Sequence, residues 1–422
     1  MQTYYQASAD TGLRFAPALG QLDAEVVIVG GGFAGLATAF GLMERGVRGV
    51  LLLEADVIGA GASGRNGGFV FGGFSLDSAV LVRQLGSGQA RALYRMTLDA
   101  VQRIRRRIDE HAIDCDAQFS GVLLADWFGN ERPLRDLQAF MRRQFDVDWA
   151  WRTREQLRSE LLSERYHSGL FEANGFHFHP LKYAQGLARA LEAGGVQLHE
   201  DSRVTALQSD GTGWLLHTAQ STLRCRDVVV CCGGYIGALY PPLSRAVLPI
   251  ATYVMVTEAL GPRLSSALRT RSAVYDTRFA FDYYRALPDT RLLWGGRISI
   301  RQRSSEEVKR LLRADLQRVY PQLADVAVSH AWSGLMGYAR HSMPQIGRLP
   351  NGLWYGMGFG GHGVAPTTLA GEVLASAISG QAPIPQGFAG YGLAPTHGLA
   401  GRAAAQASYW WLQWRDALRA RA

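Results

Sequence analysis

The sequence predicts an α/β protein with a Rossmann-like dinucleotide-binding domain, built from discontinuous segments, and an α+β substrate domain with an antiparallel sheet. The first observation is a strand, glycine turn and helix pattern at residues 26–37, typical of dinucleotide-binding units. The second is that glycine-rich stretches recur at 58–68, 231–234 and 347–363. The third is a β-rich stretch at 247–298, which predicts a substrate domain inserted between nucleotide-binding segments.

Three glycines at the first turn have distinct expected tasks. Gly30 permits a tight turn, Gly32 lets a pyrophosphate approach the backbone, and Gly35 lets the helix pack closely on the strand. The N-terminus of the helix offers free amides to phosphates. An apolar strand at 50–53 ends in Glu54, where a carboxylate is expected to bind ribose hydroxyls. This spacing predicts a bound dinucleotide.

The length predicts two domains, because 422 residues exceed what one compact domain usually holds. The dinucleotide-binding domain is expected at 22–86, 172–245 and 326–390. The substrate domain is expected at 87–171 and 246–325. A C-terminal helix is predicted at 400–421.

The composition narrows the class of protein. Apolar residues make up 47% of the chain, no run is long enough to span a membrane, and residues 1–23 lack the apolar core of a secretory signal. We therefore expect a cytoplasmic protein. The net charge is +8, but the arginines are dispersed except at 103–107, where they are expected to form the solvated face of a helix. Nucleic acid is not an expected partner, whereas anionic small molecules would be attracted weakly.

No metal site is expected from the sequence. The four cysteines show no metal-binding spacing and are expected to be reduced and buried. His177 and His179 alternate onto one face of a strand, but no third ligand is evident. We interpret them as a structural pair.

Several motifs together resemble the D-amino-acid-oxidase-like family of FAD-dependent amine and amino-acid oxidoreductases. The first glycine turn is followed by Gly-Ala-Ser-Gly-Arg-Asn-Gly-Gly at 61–68 and by Gly-Phe-Gly-Gly-His-Gly at 358–363. Within the family, the chain resembles the gamma-glutamylputrescine oxidoreductase branch most. The motifs that carry this likeness are Tyr4-Tyr5, His-Phe-His-Pro-Leu at 177–181, Phe-Asp-Tyr-Tyr-Arg at 281–285 and Trp-Ser-Gly at 332–334. The resemblance spans nearly the whole chain and implies the GR2 type of Rossmann-like domain.

The resemblance also implies that the cofactor is FAD. The first glycine turn and Glu54 would hold its ADP half, residues 63–68 would wrap the pyrophosphate, Val204 would meet the adenine, and residues 360–363 would line the isoalloxazine. The residues expected at the cofactor are Gly30, Gly32, Gly35, Glu54, Ala55, Ala62, Ser63, Arg65, Asn66, Gly67, Gly68, Val204, Gly233, Gly360, Gly361, His362 and Gly363.

Two polar side chains of the loop at 61–68 are candidates for contacts at the cofactor or within the loop. Arg65 forms either a surface ion pair or a contact with phosphate or flavin, and Asn66 is expected to fix the loop by a hydrogen bond. Some relatives bind flavin covalently through a His near this loop or a Cys just before the final glycines. Residues 58–74 contain no His and residues 326–366 contain no Cys, so we expect non-covalent FAD.

The implied chemistry is hydride transfer from the carbon beside a neutral amine to the flavin, followed by hydrolysis of the imine. An apolar pocket favours this step because desolvation lowers the pKa of the substrate amine. Oxygen or another acceptor then reoxidises the flavin. The residues expected to line the substrate pocket are Tyr253, Tyr283, Tyr284, Arg285, Trp332, Met336 and His362. The tyrosines fit half-buried sheet positions equally well.

Two departures from the family pattern concern the substrate. Amino-acid oxidases carry an arginine shortly after Trp-x-Gly, where this chain has Met336, and N-methyl amino-acid oxidases carry a lysine after Gly-His-Gly, where it has Ala365. A primary or secondary amine that is extended, like gamma-glutamylputrescine, or that bears a remote acid group is therefore expected. Arg340 or Arg285 remains an alternative clamp for a substrate carboxylate.

Two other functions remain open from the sequence. One is an amino-acid oxidase or dehydrogenase that acts on a cyclic imino acid such as pipecolate, or on a D- or N-methyl amino acid. The other is a tRNA-modifying flavoprotein, which would need a concentrated basic face.

The C-terminal helix carries aromatic residues with arginines beyond them. These residues are Tyr409, Trp410, Trp411, Trp414 and Leu418. The helix either docks on the substrate domain or makes peripheral contact with a membrane surface.

Overall fold

The computed structural model describes residues 2–420, so Arg421 of the predicted C-terminal helix lies outside the described residues. The strands are β1 (Gly20–Val29), β2 (Val50–Leu53), β3 (Phe69–Val70), β4 (Val122–Ala125), β5 (Ala150–Arg152), β6 (Gly169–Glu172), β7 (Phe176–His177), β8 (Gln197–His199), β9 (Ala206–Ser209), β10 (Trp214–His217), β11 (Ser221–Val230), β12 (Leu248–Thr257), β13 (Ala273–Asp276), β14 (Tyr283–Ala286), β15 (Leu292–Ser299), β16 (Val328–Tyr338), β17 (Gln345–Arg348) and β18 (Trp354–Met357).

Helices pack on both large sheets that these strands form. The helices are α1 (Tyr4–Ser8), α2 (Phe33–Glu44), α3 (Ser78–Glu110), α4 (Glu131–Phe145), α5 (Arg154–Leu161), α6 (Pro180–Ala193), α7 (Pro241–Ser244), α8 (Ser305–Val319), α9 (Val364–Ile378), α10 (Gln386–Ala389) and α11 (Gly398–Arg419). Within residues 2–420, none of them has the length and apolarity needed to cross a membrane.

The first large sheet is the predicted nucleotide-binding sheet. Its strand order is β17-β18-β11-β1-β2-β8, and β10 and β9 extend it beside β11. The neighbouring pairs from β18 to β8 are all parallel, so the carboxyl ends of these strands lie along one edge. The apolar residues of β1 and β2 are buried, as expected of central parallel strands. The fold class predicted from the sequence is confirmed, and a ligand site is expected at this edge.

Two helices lie side by side on this sheet and begin at that edge. α2 follows β1 directly, and α9 follows β18. Glycines permit their close approach, because a Cβ added at Gly41 would lie 2.7 Å from the Ala375 Cβ, and one at Gly371 would overlap Ala37. The N-termini of both helices therefore meet the same region.

The second large sheet has the order β16-β12-β15-β14-β13-β4-β6-β5. Its pairs are antiparallel, as predicted, except that β13 and β4 are parallel. One of its faces packs on α8 through a core that includes Tyr284, Trp294 and Leu312. On the opposite face, Val254, Leu293 and Trp332 pack with Tyr5 of α1 and Leu181 of α6.

The expected domain boundaries differ from the structure at two places. Residues 328–338 form β16, an edge strand of the second sheet, although the sequence predicts that the segment from 326 belongs to the nucleotide-binding domain. Helix α3, most of which was assigned to the substrate domain, packs on α9 and shares the core of the first sheet. Local periodicity identifies such elements but does not show which sheet they join.

The arginine run on α3 also differs from its expected role as a solvated face. The Arg107 side chain is 1% exposed. Its Nη2 lies 2.5 Å from Glu372 Oε1 on α9 and 3.1 Å from Glu44 Oε2 on α2. This ion-pair cluster joins three helices beneath the first sheet.

His177 and His179 both bind backbone groups. His177 Nε2 lies 2.8 Å from the Arg271 carbonyl oxygen. His179 Nδ1 accepts a hydrogen bond from the Lys182 amide at the start of α6. Among the described residues, no three His, Cys, Asp or Glu side chains are grouped so as to hold a metal ion.

The C-terminal helix α11 docks on the second sheet through one face only. Asp416 Oδ2 accepts a hydrogen bond from the Phe279 amide over 2.7 Å, and the Tyr409 ring lies 5.7 Å from the Phe279 ring. The aromatic residues expected on this helix therefore lie on two different faces. Tyr409 packs against the protein, whereas Trp410 and Trp414 are exposed.

Candidate functional site

A cavity of about 1060 Å³ lies at the carboxyl edge of the first sheet and extends beneath the second. Val29, Leu53, Cys231 and Gly358, which end or directly follow the parallel strands β1, β2, β11 and β18, all line it. This is where open α/β sheets bind their ligands.

The first glycine turn brings the N-terminus of α2 into the cavity. Gly30 has a φ of 114°, and a Cβ there would lie 2.9 Å from the Cys231 carbonyl oxygen. A Cβ at Gly35 would overlap the Gly30 carbonyl oxygen, so Gly35 permits the helix to approach the turn. Gly32 is the N-cap and provides no side-chain cap. Ser63 Oγ accepts a hydrogen bond from the Phe33 amide over 2.8 Å, whereas Ala34, whose amide no described side chain accepts, lines the cavity and can meet an anion.

Glu54 lines the cavity next to the glycine turn and binds backbone amides there. Its Oε2 accepts a hydrogen bond from the Gly31 amide over 2.7 Å, and its Oε1 accepts one from the Asp56 amide over 3.0 Å. Burial raises the pKa of the Glu54 carboxyl, and these amide bonds oppose that shift. A carboxylate held in this way beside the glycine turn fits the ribose of a dinucleotide.

The loop at 58–68 is fixed by its own side chains. Asn66 Nδ2 donates to the Ala62 and Ser63 carbonyl oxygens, and its Oδ1 accepts from the Gly68 amide over 2.8 Å. Arg65 Nε donates to the Ala60 carbonyl oxygen while its side chain lines the cavity. Among the described residues, Arg65 forms no ion pair.

A second glycine segment brings the N-terminus of α9 to the same cavity. The Gly360 amide donates to the Gly337 carbonyl oxygen, and the His362 amide donates to Ser75 Oγ. Gly363 is the N-cap of α9 and also has no side-chain cap. Two helix N-termini thus favour negative charge in one cavity.

His362 is held as a neutral imidazole. Its Nε2 lies 3.2 Å from the Phe71 carbonyl oxygen, which requires a proton on that nitrogen. Burial lowers the pKa of His362 to about 4.

Most of the residues expected at the cofactor line the cavity. They are Gly30, Gly32, Glu54, Ala55, Ala62, Ser63, Arg65, Asn66, Gly67, Val204, Gly233, Gly360, Gly361, His362 and Gly363. Gly35 and Gly68 do not line it, because each lies behind the wall in close contact with backbone.

Of the expected substrate-pocket residues, Tyr283, Met336 and His362 line the cavity. Tyr253 and Tyr284 do not, because they face the opposite side of the second sheet. The Tyr253 hydroxyl donates to the Arg301 carbonyl oxygen, and the Tyr284 ring stacks on Trp294 at 4.4 Å.

Arg285 and Trp332 lie behind the cavity wall, contrary to expectation. Arg285 Nε donates to the Gly67 carbonyl oxygen over 2.8 Å, and Trp332 Nε1 donates to the Arg65 carbonyl oxygen over 3.0 Å. Both side chains are buried, and they support the loop at 58–68. Arg340, the other alternative clamp, also lies outside the lining and has its Nη1 3.5 Å from His397 Nε2.

Four aromatic side chains line one side of the cavity, and the sequence identified only one of them, Tyr283, as a pocket residue. Phe71 stacks on Tyr275 with ring centroids 5.4 Å apart, and Phe281 lies 5.7 Å from Tyr275 and 6.2 Å from Tyr283. We call these four side chains the aromatic wall. Tyr338 and Tyr409 also line the cavity. The Phe-Asp-Tyr-Tyr-Arg motif at 281–285 indicated aromatic residues near the site, but alternation along the strand did not show which rings face the cavity.

Arg297 also lines the cavity, and the sequence did not predict it as a site residue. It lies between Gly296 and Ile298, which pair with consecutive residues of β12, so Arg297 is the extra residue of a β-bulge, with a φ of 54°. It lines the cavity, and its Nε and Nη2 donate to Asp315 over 2.6 and 2.9 Å. The glycine pair at 295–296 within a strand was the available signal.

This fold and cavity define a protein that binds a dinucleotide at the carboxyl edge of its parallel sheet. Residues 25–377 match the family described as DAO, FAD dependent oxidoreductase. The chain is 34% identical over 390 residues to gamma-glutamylputrescine oxidoreductase of Escherichia coli (strain K12), covering 90% of this chain and 89% of that protein. The chain therefore belongs to the DAO family of FAD-dependent oxidoreductases, as the motifs indicated.

Solved structures support the fold. Glycine oxidase from Geobacillus kaustophilus superposes with a TM-score of 0.71 at 22% identity, covering 88% of this chain and 99% of that one. L-proline dehydrogenase from P. horikoshii gives a TM-score of 0.72 at 17% identity, covering 88% and 97%. The open ends of α2 and α9, the glycine turn and Glu54 fit FAD, which is the cofactor of this family.

Proposed function

We propose that the protein oxidises the C–N bond of an extended primary or secondary amine. Bound FAD would supply the acceptor for a hydride from the carbon beside the nitrogen, and water would hydrolyse the resulting imine. The observation that carries this proposal is the aromatic wall combined with Met336 at the position expected for a carboxylate clamp. The named activity of the Escherichia coli relative supports an amine substrate.

The aromatic wall binds the substrate next to its reacting carbon. Its four rings contain no ionised group near neutral pH, and burial raises the pKa of Tyr275 and Tyr283 well above the usual tyrosine value. Such a wall excludes water and lowers the pKa of a bound amine, which favours the neutral form that loses hydride. The ring faces also attract an ammonium group as it enters.

Arg297 provides the anchor for a remote acid group of the substrate. It is the one arginine that the second sheet contributes to the cavity lining among the described residues. No described residue accepts a hydrogen bond from its Nη1, so one donor remains for a carboxylate. We propose that amines with a distant carboxylate are preferred over α-amino acids.

Anaerobic bleaching of the flavin by a panel of substrates tests the amine proposal. We expect bleaching by amines whose carboxylate is remote from the nitrogen, such as γ-glutamyl-blocked diamines. Bleaching by α-amino acids, including cyclic imino acids, without bleaching by extended amines would overturn it. Peroxide measured when air is readmitted shows whether oxygen is the acceptor.

A charge-neutral double variant tests the role of Arg297. Replacing both members of the ion pair, Arg297→Gln with Asp315→Asn, removes the charge without leaving a buried carboxylate unpaired. A hydrogen bond to a charged group contributes about 1.5–3 kcal/mol, so KM for an acid-bearing amine should rise roughly 10- to 100-fold. An uncharged amine of similar length is the control and should change about twofold at most. Equal losses for both substrates would contradict the proposal.

We further propose that FAD is bound non-covalently. The loop at 58–74 has no His and the segment 326–366 has no Cys. Acid precipitation should release all flavin into the supernatant. Flavin that stays with the precipitated protein would contradict this.

A further inference from the structure

Helix α11 is fixed to the second sheet by polar contacts along its inner face. Asp416 accepts the Phe279 amide, and Gln406 Oε1 accepts the Ile300 amide over 3.2 Å. These contacts are more than two turns apart, so they set the rotation of the helix about its axis. The face directed away from the protein is therefore defined.

That outer face is apolar along almost the whole helix. The exposed fractions are 82% for Leu399, 64% for Trp410, 60% for Trp411, 55% for Trp414 and 46% for Leu418. We call these five residues the tryptophan face. At 100° per residue they cover about a third of the helix circumference, with exposed alanines between them. A continuous apolar stripe of this kind marks an interaction surface.

The charges around the tryptophan face are basic. The charged side chains of residues 386–420 are three arginines and Asp416, and Asp416 is buried against the Phe279 amide. Arg415 and Arg419 are exposed along one border of the face. Tryptophans beside arginines on one helix favour the interface of an anionic bilayer, where rings enter the headgroup region and guanidinium groups meet phosphates.

A second copy of the chain fits this surface less well. In a symmetric dimer the face would meet itself, and it offers no carboxylate for Arg415 or Arg419.

We propose that α11 binds the surface of an anionic phospholipid membrane. The tryptophan face enters the boundary between headgroups and acyl chains, and Arg415 and Arg419 bind lipid phosphates. Because Tyr409 on the inner face lines the cavity, the same helix joins the membrane contact to the cavity wall. The proposal does not depend on which amine is oxidised.

Vesicle flotation of the full chain with FAD tests the proposal. Vesicles of phosphatidylcholine with phosphatidylglycerol should carry the wild type, and vesicles of phosphatidylcholine alone should carry at least several-fold less. The triple variant Trp410→Ser, Trp411→Ser, Trp414→Ser should reduce binding at least tenfold. The double variant Arg415→Gln, Arg419→Gln should bind anionic vesicles more weakly, and added salt should change its binding less than it changes that of the wild type. Leu19→Ser, at another exposed leucine, is the matched control and should bind as the wild type.

Flavin content and melting temperature establish that each variant is folded. Absence of wild-type binding to anionic vesicles, or full binding by the triple tryptophan variant, would overturn the proposal. Light scattering tests the alternative that a second copy of the chain covers the tryptophan face. A wild-type dimer that the tryptophan variant dissociates, together with no lipid binding, would assign the face to a second copy and also overturn the proposal.

Discussion

Trp332 Nε1 donates a hydrogen bond to the Arg65 carbonyl oxygen over 3.0 Å. Trp332 belongs to β16 of the second sheet, whereas Arg65 belongs to the loop at 58–68 that borders the cavity. The Tyr5 hydroxyl adds a bond from the chain's first helix to the Asn66 carbonyl oxygen over 2.8 Å. The second sheet and the chain's first helix therefore both hold the shape of this loop.

We predict that Trp332→Phe weakens FAD binding more than it weakens the fold. The substitution keeps an aromatic ring but leaves the Arg65 carbonyl oxygen without its donor, which costs about 1–3 kcal/mol. Titration of apoprotein with FAD should show a Kd raised roughly 5- to 100-fold.

The control for this prediction is Trp354→Phe. Trp354 Nε1 donates to Asp227 Oδ1 over 2.9 Å at the amino end of β18, away from the cavity. It should lower stability with little effect on FAD affinity. Equal effects of the two variants on FAD affinity would show that the Trp332 bond has no particular role in holding the loop.

The cofactor side of this site was predictable because it depends on backbone. A positive φ at Gly30 and the close approach at Gly35 both demand glycine, so the requirement is visible in the residue type itself. Glu54 follows from strand length and spacing. The same logic located α2, whose N-terminus follows the first glycine turn.

The substrate side was less predictable because it depends on side-chain direction. Tyr283 and Tyr284 are consecutive, so they face opposite sides of β14, and the sequence does not state which side is the cavity. Arg285 resembled a clamp, but its acceptors at Gly67 and Phe178 come from distant segments. Arg297 reaches the cavity through a bulge that only strand pairing reveals.

Gly35→Ala should abolish FAD retention. The new Cβ would overlap the Gly30 carbonyl oxygen, so either the turn or α2 must move away from its position at the cavity. Gly88→Ala is the matched control, because this exposed glycine lies in helix α3 with open space around it. That substitution should stabilise the protein by about 0.5–1 kcal/mol. Flavin absorbance after gel filtration, together with urea denaturation, measures both, and a Gly35→Ala protein that retains FAD would contradict the argument.

The pH dependence of kcat/KM should follow the substrate amine. Because burial lowers the pKa of His362 to about 4, this imidazole is already neutral above pH 6 and adds no step there. As the pH rises toward the pKa of the free amine, the reactive neutral form increases, so kcat/KM should rise about tenfold per pH unit and then level off. His362→Asn should keep this profile even if its overall rate falls. Loss of the acidic limb in that variant would assign the titration to His362.

Arg107→Leu should destabilise the fold. It removes the most buried cation of the cluster, and Glu44 and Glu372 keep only the partly exposed Arg103 and Arg45 as partners, which costs about 1.5–3 kcal/mol. Arg106→Leu, one residue away and exposed, should change stability by about 0.5 kcal/mol or less. Urea midpoints measure the difference, and similar midpoints for the two variants would show that the cluster adds no stability.

The pairing of strands in the first sheet determines when this protein can first capture its cofactor. Ile28 pairs with Val229, and Val229 pairs with Trp354, so the three central strands come from widely separated parts of the chain. Closing such long loops costs entropy before any contact repays it, which makes assembly slow. A nascent chain must therefore release residues beyond 354 from the ribosome before FAD is enclosed. Until then, the apolar strands of both sheets stay exposed to aggregation, and supply of FAD late in synthesis should raise the yield of folded protein.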